Sequence, residues 1–149
     1  MSYSEEDHVK KQAFLYLARR SFFVEELRLK LIHKRFSQEG IDKVINLCIE
    51  QGFLDDQKLI RQLVEGARLR GFGSKAIWHK LYCKVGINRS ILQQIILETE
   101  KSQFEDLKRL LQKKNQPTHL LNPKQRQRLI TKCLRRGYCY DEIVRCLAE

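Results

Sequence analysis

The sequence predicts an all-α protein: three tandem three-helix repeats of helix-turn-helix type, forming an elongated, curved helical array. Three observations carry that expectation. Glycine and proline are sparse, seven and two in 149 residues, and no run alternates apolar with polar as a half-buried strand would. Apolar residues instead recur three and four apart along most of the chain. The third observation is repetition. An offset of 50 and then one of 66 aligns Arg20 with Arg70 and Arg136, Ser21 with Gly71 and Gly137, and Phe22 with Phe72 and Tyr138. The same offsets bring together Leu27, Ile77 and Ile143, then Leu31, Leu81 and Leu147. Chance supplies a few apolar matches in so helical a chain, but rarely the Arg–Gly/Ser–aromatic punctuation as well. Repeat 1 is expected over about residues 5–52, repeat 2 over about 53–101, and repeat 3 over about 102–149 with a loop at 113–123. One compact domain of this length is possible, but small modules sharing thin cores with their neighbours suit the repetition.

Each element has its own signal. A first helix is expected from about Asp7 to Arg20 with Val9, Ala13, Phe14 and Leu17 inward. A second covers Val24 to about His33 on Leu27 and Leu31. A third runs from Gln38 to Gln51 on Ile41, Val44, Ile45, Cys48 and Ile49, and Gly52 ends it. Asp55 and Asp56 stand where an N-cap belongs, because a short carboxylate accepts the orphan N–H groups of a first turn. Leu59, Ile60, Leu63, Val64 and Ala67 form the next apolar stripe, with Arg61, Arg68 and Arg70 off it. Gly71 can take the left-handed conformation that closes this helix, and Ser74 can cap the following one. That helix carries Ile77, Trp78, Leu81 and Val85 until Gly86. Asn88 caps a helix through Ile91, Leu92, Ile95 and Ile96 to about Lys101, which runs on or bends before Phe104, Leu107, Leu110 and Leu111. Both prolines lie in KKNQPTHLLNP, where Asn122 and Pro123 form an N-cap and N1 pair. The final helices use Leu129, Ile130, Cys133 and Leu134 up to Gly137, then Ile143, Val144 and Leu147 from Asp141.

Charge is concentrated in the later part of the chain. Net charge is +11, yet residues 1–55 hold nine basic and nine acidic side chains. Residues 56–100 hold eight and four, and residues 101–149 twelve and five. Gly66 to Leu97 contains six Lys/Arg and no acid; Leu107 to Tyr140 contains ten and no acid. Runs this long imply a polyanion or an acidic protein groove as partner. No stretch approaches the roughly 20 apolar residues that cross a bilayer. The start, MSYSEEDHVKK, is acidic and lacks an apolar core, so no secretory signal is expected.

Catalytic constellations are missing. Asp55 and Asp56 are read as caps, because nothing completes a carboxylate site. His8, His33, His79 and His119 are isolated, without HExxH-type pairing, and are read as surface residues. Cys48, Cys83, Cys133, Cys139 and Cys146 form no CxxC pair, so neither zinc nor a disulfide framework is expected and a reducing cytoplasm is the natural home. Trp78 shares a helix with Ile77 and Leu81, which favours packing over base stacking. GFG lies between helices and is not a phosphate-binding loop. No cofactor, no metal and no enzymatic activity are expected. The helix–GFG–helix unit is also compatible with a sequence-specific DNA reader. Against that, the geometry recurs with different side chains: Lys75, His79, Lys80 and Lys84 in one copy, Glu25, Glu26, Arg28 and Lys30 in another.

The motif Gly52-Phe-Leu-Asp-Asp56, then Arg68-x-Arg70-Gly-Phe-Gly73, Ile77-x3-Leu81 and Gly86-Ile87, resembles the central signature of the bacterial RecX family. Ala13 to Asp55 and Phe104 to Ala148 fit the flanking repeats. Val24 and Arg35 stand where the family's first repeat usually has a Ser/Thr cap and a helix-ending glycine, and Ser74 where the second commonly has proline. The resemblance implies a non-enzymatic modulator that binds the RecA recombinase and its RecA–DNA filament, lies along the filament groove, and usually inhibits strand exchange, ATP hydrolysis and co-protease action. It also implies a monomeric, cytoplasmic protein with at most weak direct DNA binding and no membrane partner. The expected filament-facing residues are Arg68, Arg70, Lys75, Lys80 and Lys84 from repeat 2, with Arg126, Arg128, Lys132, Arg135 and Arg136 from repeat 3. The competing expectation is an autonomous DNA-binding regulator of helix-turn-helix type.

Overall fold

Helix α1 (Glu5–Arg19) begins two residues before its expected start because Ser4 caps it. The Ser4 hydroxyl accepts from the Asp7 N–H at 3.3 Å, while the Asp7 carboxylate accepts from the Ser4 N–H at 3.2 Å. That reciprocal box satisfies two orphan donors. Helix α2 (Val24–His33) has the expected bounds, and α3 (Gln38–Glu50) is capped by the Ser37 hydroxyl on Gly40 N–H at 3.2 Å. These three helices pack on one another around Val9, Ala13, Leu27, Leu31, Ile41 and Ile45, with Phe14 and Leu17 at the margin. Ile49, expected inward, is 46 % exposed, because the buried stripe of α3 passes through Cys48 and leaves its neighbour at the edge.

The structure is a computed structural model that describes residues 4–112 and 121–148. Among those residues it contains helices and turns and no strand. Most of the loop expected at 113–123 lies outside the described residues; its last two members, Asn122 and Pro123, are the N-cap and first residue of a helix as expected. The chain divides into two compact units, one of residues 1–60 with 84–87 and one of residues 61–83 with 88–149.

In the first unit α2 is capped from elsewhere. No side chain of α2's own N-cap residue, Phe23, bonds its first turn. Instead the Asp56 carboxylate accepts from the Val24 N–H at 2.9 Å, and Glu26 accepts from the Phe23 N–H at 3.0 Å. Asp55 alone caps its own helix, accepting from Lys58 N–H at 3.1 Å. The two adjacent carboxylates thus serve two different helices. Arg35 follows α2 with φ +65°, a left-handed backbone that costs a side-chain-bearing residue about 1 kcal/mol or more.

Helix α4 (Asp56–Leu69) gives its first turn to the first unit and the rest to the second. The second unit continues with α5 (Ser74–Leu81), α6 (Arg89–Thr99), a 3-10 turn (Glu100–Ser102), α7 (Gln103–Gln112), α8 (Pro123–Arg135) and α9 (Tyr140–Ala148). Asn88 caps α6 through Ile91 N–H at 3.1 Å, as expected. Leu107, Ile130, Cys133, Tyr138, Ile143 and Leu147 form a core where α7 and α8 pack on α9. Three expectations need correction. Leu134, expected on the inward stripe of α8, is 44 % exposed. Helix α5 ends at Leu81, so Val85 is 51 % exposed rather than on an inward stripe. Ser74 does not cap α5: its N-cap is Gly73, and the Ser74 hydroxyl is engaged elsewhere.

Cys48, Cys133 and Cys146 are buried and Cys83 and Cys139 exposed. No helix among the described residues is long and apolar enough to cross a membrane.

Candidate functional site

Two glycine turns of the second unit hold one another. Helix α4 closes with Gly71 at φ +88° and Phe72 N–H donating back to Ala67 C=O at 3.0 Å. Helix α8 closes the same way, with Gly137 at φ +93° and Tyr138 N–H donating to Cys133 C=O at 3.2 Å. Both are left-handed helix ends that satisfy otherwise orphan carbonyls. Across them, Gly73 N–H donates to Arg136 C=O at 2.6 Å and Lys75 N–H to Gly137 C=O at 3.3 Å. A Cβ at Gly73 would lie 2.5 Å from the Gly137 carbonyl oxygen, and one at Gly137 would lie 2.4 Å from the Ala76 nitrogen. Only glycine permits this approach.

Cations gather around the clasp. The Arg136 guanidinium donates to the Arg70 carbonyl at 2.7 Å and stands 5.7 Å from the Phe72 ring centre. Lys80 Nζ lies 3.6 Å from the same ring. Arg70, Lys75 and Lys80 are exposed. Among the described residues none of these four cations belongs to an ion pair, whereas Arg61 is paired with Glu98 at 2.8 Å and Arg109 with Asp106 at 2.8 Å.

Helix α8 extends the positive surface. An open groove of about 710 Å³ is lined, among the described residues, by Lys124, Arg128, Lys132, Arg135 and Arg136, with the polar Gln127 and Thr131 between them. Spacings of three and four residues put these on one face, opposite the stripe of Leu129, Ile130 and Cys133 that enters the core. Among the described residues no acid lines the groove and none of its cations is ion-paired. Arg126 is exposed but falls in register with the buried stripe, away from the groove.

Arg68 is a different case. It is only 5 % exposed and takes no place on this surface. Its guanidinium donates to Thr99 Oγ1 at 3.2 Å, Gln103 Oε1 at 2.5 Å, Ser74 Oγ at 2.7 Å and the Ile96 carbonyl at 3.1 Å. Gln103, itself 4 % exposed, also accepts from the Ser74 N–H and hydroxyl and donates to Glu142 at 2.5 Å. Arg68 therefore ties α4, α5, α6 and α7 together, and burial holds its pKa below the usual guanidinium range. Lys84 is exposed but belongs to the 84–87 segment of the first unit. Of the ten expected residues, then, Arg70, Lys75, Lys80, Arg126, Arg128, Lys132 and Arg135 are exposed in the second unit, Arg136 is half-buried beside them, and Arg68 is interior.

Sequence reasoning missed Lys124 and Gln103. Lys124 was detectable, since it falls within the longer acid-free run. Nothing in the pattern marks Gln103, a polar residue opening a helix. The described histidines, His8, His33 and His79, are exposed; His119 lies outside the described residues. Trp78 is half-buried and stacks on Tyr82 with ring centres 5.9 Å apart and planes at 11°. No group of three or more His, Cys, Asp or Glu among the described residues is placed to hold a metal.

No family model matches the chain. A regulatory protein RecX from Vibrio parahaemolyticus is 28 % identical over 134 residues, 90 % of this chain and 86 % of that protein. Another from Haemophilus influenzae is 26 % identical over 134 residues, 89 % and 88 % of the two chains. These likenesses over most of the chain support a RecX family protein. Its fold is that of the crystal structure of RecX from Lactobacillus salivarius, with a TM-score of 0.77 at 24 % identity over 97 % of this chain and 95 % of that one. A second RecX crystal structure aligns with a TM-score of 0.70 at 18 % identity. Both curated relatives are described as regulatory proteins, which supports a regulatory role for this chain.

Proposed function

We propose that this RecX protein binds the RecA recombinase and its DNA filament and lowers strand exchange, ATP hydrolysis and co-protease activity. It does so as a monomeric, non-enzymatic, cytoplasmic protein. Family membership supplies the regulatory role. The observation that carries the rest is the cationic face of the second unit, where Arg70, Lys80 and the cations of the α8 groove enter no ion pair among the described residues. Unpaired like charges repel one another, so a surface that keeps them is explained by a partner of opposite charge.

The three-repeat register belongs to the same proposal. It is supported by Gly71 and Gly137, which share a left-handed backbone at matched positions. It is also supported by Arg20, whose guanidinium stands 3.8 Å from the Phe22 ring in the first unit. The autonomous DNA-reader alternative is less well supported. A helix-turn-helix reads bases with the N-terminal residues of its second helix, and here Gly73, Lys75 and Ala76 meet the Arg136–Gly137 backbone instead.

Reversing Arg70, Lys80, Arg128 and Arg135 to Glu tests the reading. With each lost pairing contributing about 0.5 kcal/mol and each new repulsion about as much, binding to RecA-coated single-stranded DNA is expected to fall by about 10³-fold. Fluorescence anisotropy would measure it, with helical circular dichroism unchanged. Unaltered affinity in a folded variant would remove this face from the interaction.

A further inference from the structure

We infer that a small pocket between the end of α4 and α7 is a seat for one carboxylate side chain of a protein partner. That the partner is the recombinase rests on the reading above; the chemistry of the seat rests on the pocket itself. The pocket has a volume of about 130 Å³ and shares no lining residue with the α8 groove. That is room for roughly four water molecules, well below the roughly 300–1,000 Å³ of a site for a small-molecule ligand or cofactor. It admits a single end group.

Arg68 and Leu69 line it from α4 and Arg70 from the turn that follows, while Asp106, Arg109 and Leu110 line it from one face of α7. Three guanidinium groups therefore border it against one carboxylate. Asp106 already pairs with Arg109 at 2.8 Å, and neither Arg68 nor Arg70 enters an ion pair among the described residues. Arg136 adds to the excess, since its guanidinium lies 2.9 Å from where a Cβ on Gly71 would stand. The carbonyls at the end of α4 do not offset it. Those of Gly66, Ala67, Arg68 and Arg70 accept from Arg70, Phe72 and Gly71 N–H and from the Arg136 guanidinium. Arg68 makes four hydrogen bonds, only one of them from Nη1, so the second Nη1 hydrogen meets no acceptor among the described residues. The walls are apolar. Leu69 is 83 % exposed, more than any other large apolar side chain among the described residues, and Leu110 stands across from it on α7. A nucleic-acid backbone is held along an open, polar row of donors. A recess with an arginine inside and an exposed leucine at its rim has the composition of a protein-interface anchor instead. The anion that a protein partner supplies is an Asp or Glu carboxylate, which guanidinium groups bind through paired N–H donors.

The probe is glutarate, with glutaramide as its uncharged counterpart at matched ionic strength. NMR of isotope-labelled protein follows the Gly71 amide and the Arg68 Nε–H. Glutarate should shift both signals saturably and glutaramide neither. Arg109→Gln removes a rim cation and leaves Asp106 without its partner, so it should weaken glutarate binding at least about threefold. Leu69→Ala changes no charge. It should lower affinity for RecA free of DNA by about tenfold and leave binding to a bare single-stranded oligonucleotide unchanged. Both variants alter exposed side chains and are checked for folding by circular dichroism. Equal shifts from glutarate and glutaramide, or inorganic phosphate displacing glutarate at lower concentration, overturns the seat. If Leu69→Ala and Arg109→Gln bind RecA as the wild type does, while Arg128→Glu with Arg135→Glu loses the filament, the seat fails and the filament reading stands. If glutarate is held as expected and the wild-type protein does not bind RecA, the filament reading fails and the carboxylate seat stands.

Discussion

A guanidinium taken out of water must find acceptors for most of its five N–H groups. Arg68 finds them in Thr99, Gln103, Ser74 and the Ile96 carbonyl, all neutral, with Glu142 reached only through Gln103. Arg70, two residues on, is exposed and pairs with no acid among the described residues. Truncating the first strands several buried acceptors and empties a packed site; truncating the second removes a solvated side chain. Arg68→Ala is therefore expected to destabilise the protein by about 3 kcal/mol, and Arg70→Ala by less than about 0.5 kcal/mol. Urea unfolding measures both, and comparable stabilities would refute the structural role of Arg68. The sequence shows both arginines in one acid-free run and cannot separate them. Burial of Arg68 depends on Thr99 and Gln103, about thirty residues away and polar, which leave no apolar periodicity to read. Gly71, by contrast, is legible, because a glycine after a helical stripe has one common use. Arg35 takes the same left-handed backbone without a glycine, at the position where the family resemblance expects one.

At the scale of elements, the apolar stripes located the helices: α2 has its expected bounds and α3 its expected start. What the stripes could not give is how ends are capped through space. The pair Asp55–Asp56 reads as one helix's cap, yet Asp56 accepts from Val24 at the start of α2. This places a carboxylate where the family's first repeat usually has its own Ser/Thr. Removing the acceptor with Asp56→Ala is expected to cost about 1 kcal/mol. Asp56→Asn keeps an oxygen facing Val24 and should be tolerated far better. The pH dependence has a definite sign. Burial raises the Asp56 pKa above its ordinary value, and Asp55, Glu25 and Glu26 push the same way, against the Val24 hydrogen bond. A carboxyl that holds its proton more tightly when folded favours the fold most at low pH, and that contribution fades as pH rises through the folded pKa. The stability of the Asp56→Asn variant relative to the wild type should therefore grow between pH 4 and pH 7. A relative stability that shrinks over that range would contradict the burial argument. Helix α5 shows a second limit of periodicity: Val85 continues the spacing, but the helix ends at Leu81.

For the whole molecule, the unequal distribution of charge was plain in the sequence and its arrangement was not. The acid-free run contains every cation of the α8 groove, but also Arg126 on another face of that helix. Which lysines and arginines share a surface is a property of the helix phase and of the clasp between Gly73 and Gly137. The all-α class itself followed from stripes and glycines alone, and the likeness to solved RecX structures agrees with it. The regulatory reading joins that fold to an unpaired cationic face, and it makes a claim about stoichiometry. A protein that acts on the filament should work well below one copy per recombinase subunit, because each binding event affects an ordered array. A protein that only competes for DNA must occupy the DNA. The deciding measurement is single-strand-DNA-dependent ATP hydrolysis by the cognate RecA, with this protein titrated upward from substoichiometric amounts. Progressive loss of hydrolysis at substoichiometric ratios is the expected result. Undiminished hydrolysis, together with tight binding to the same bare DNA, would contradict the account and favour an autonomous DNA-binding protein.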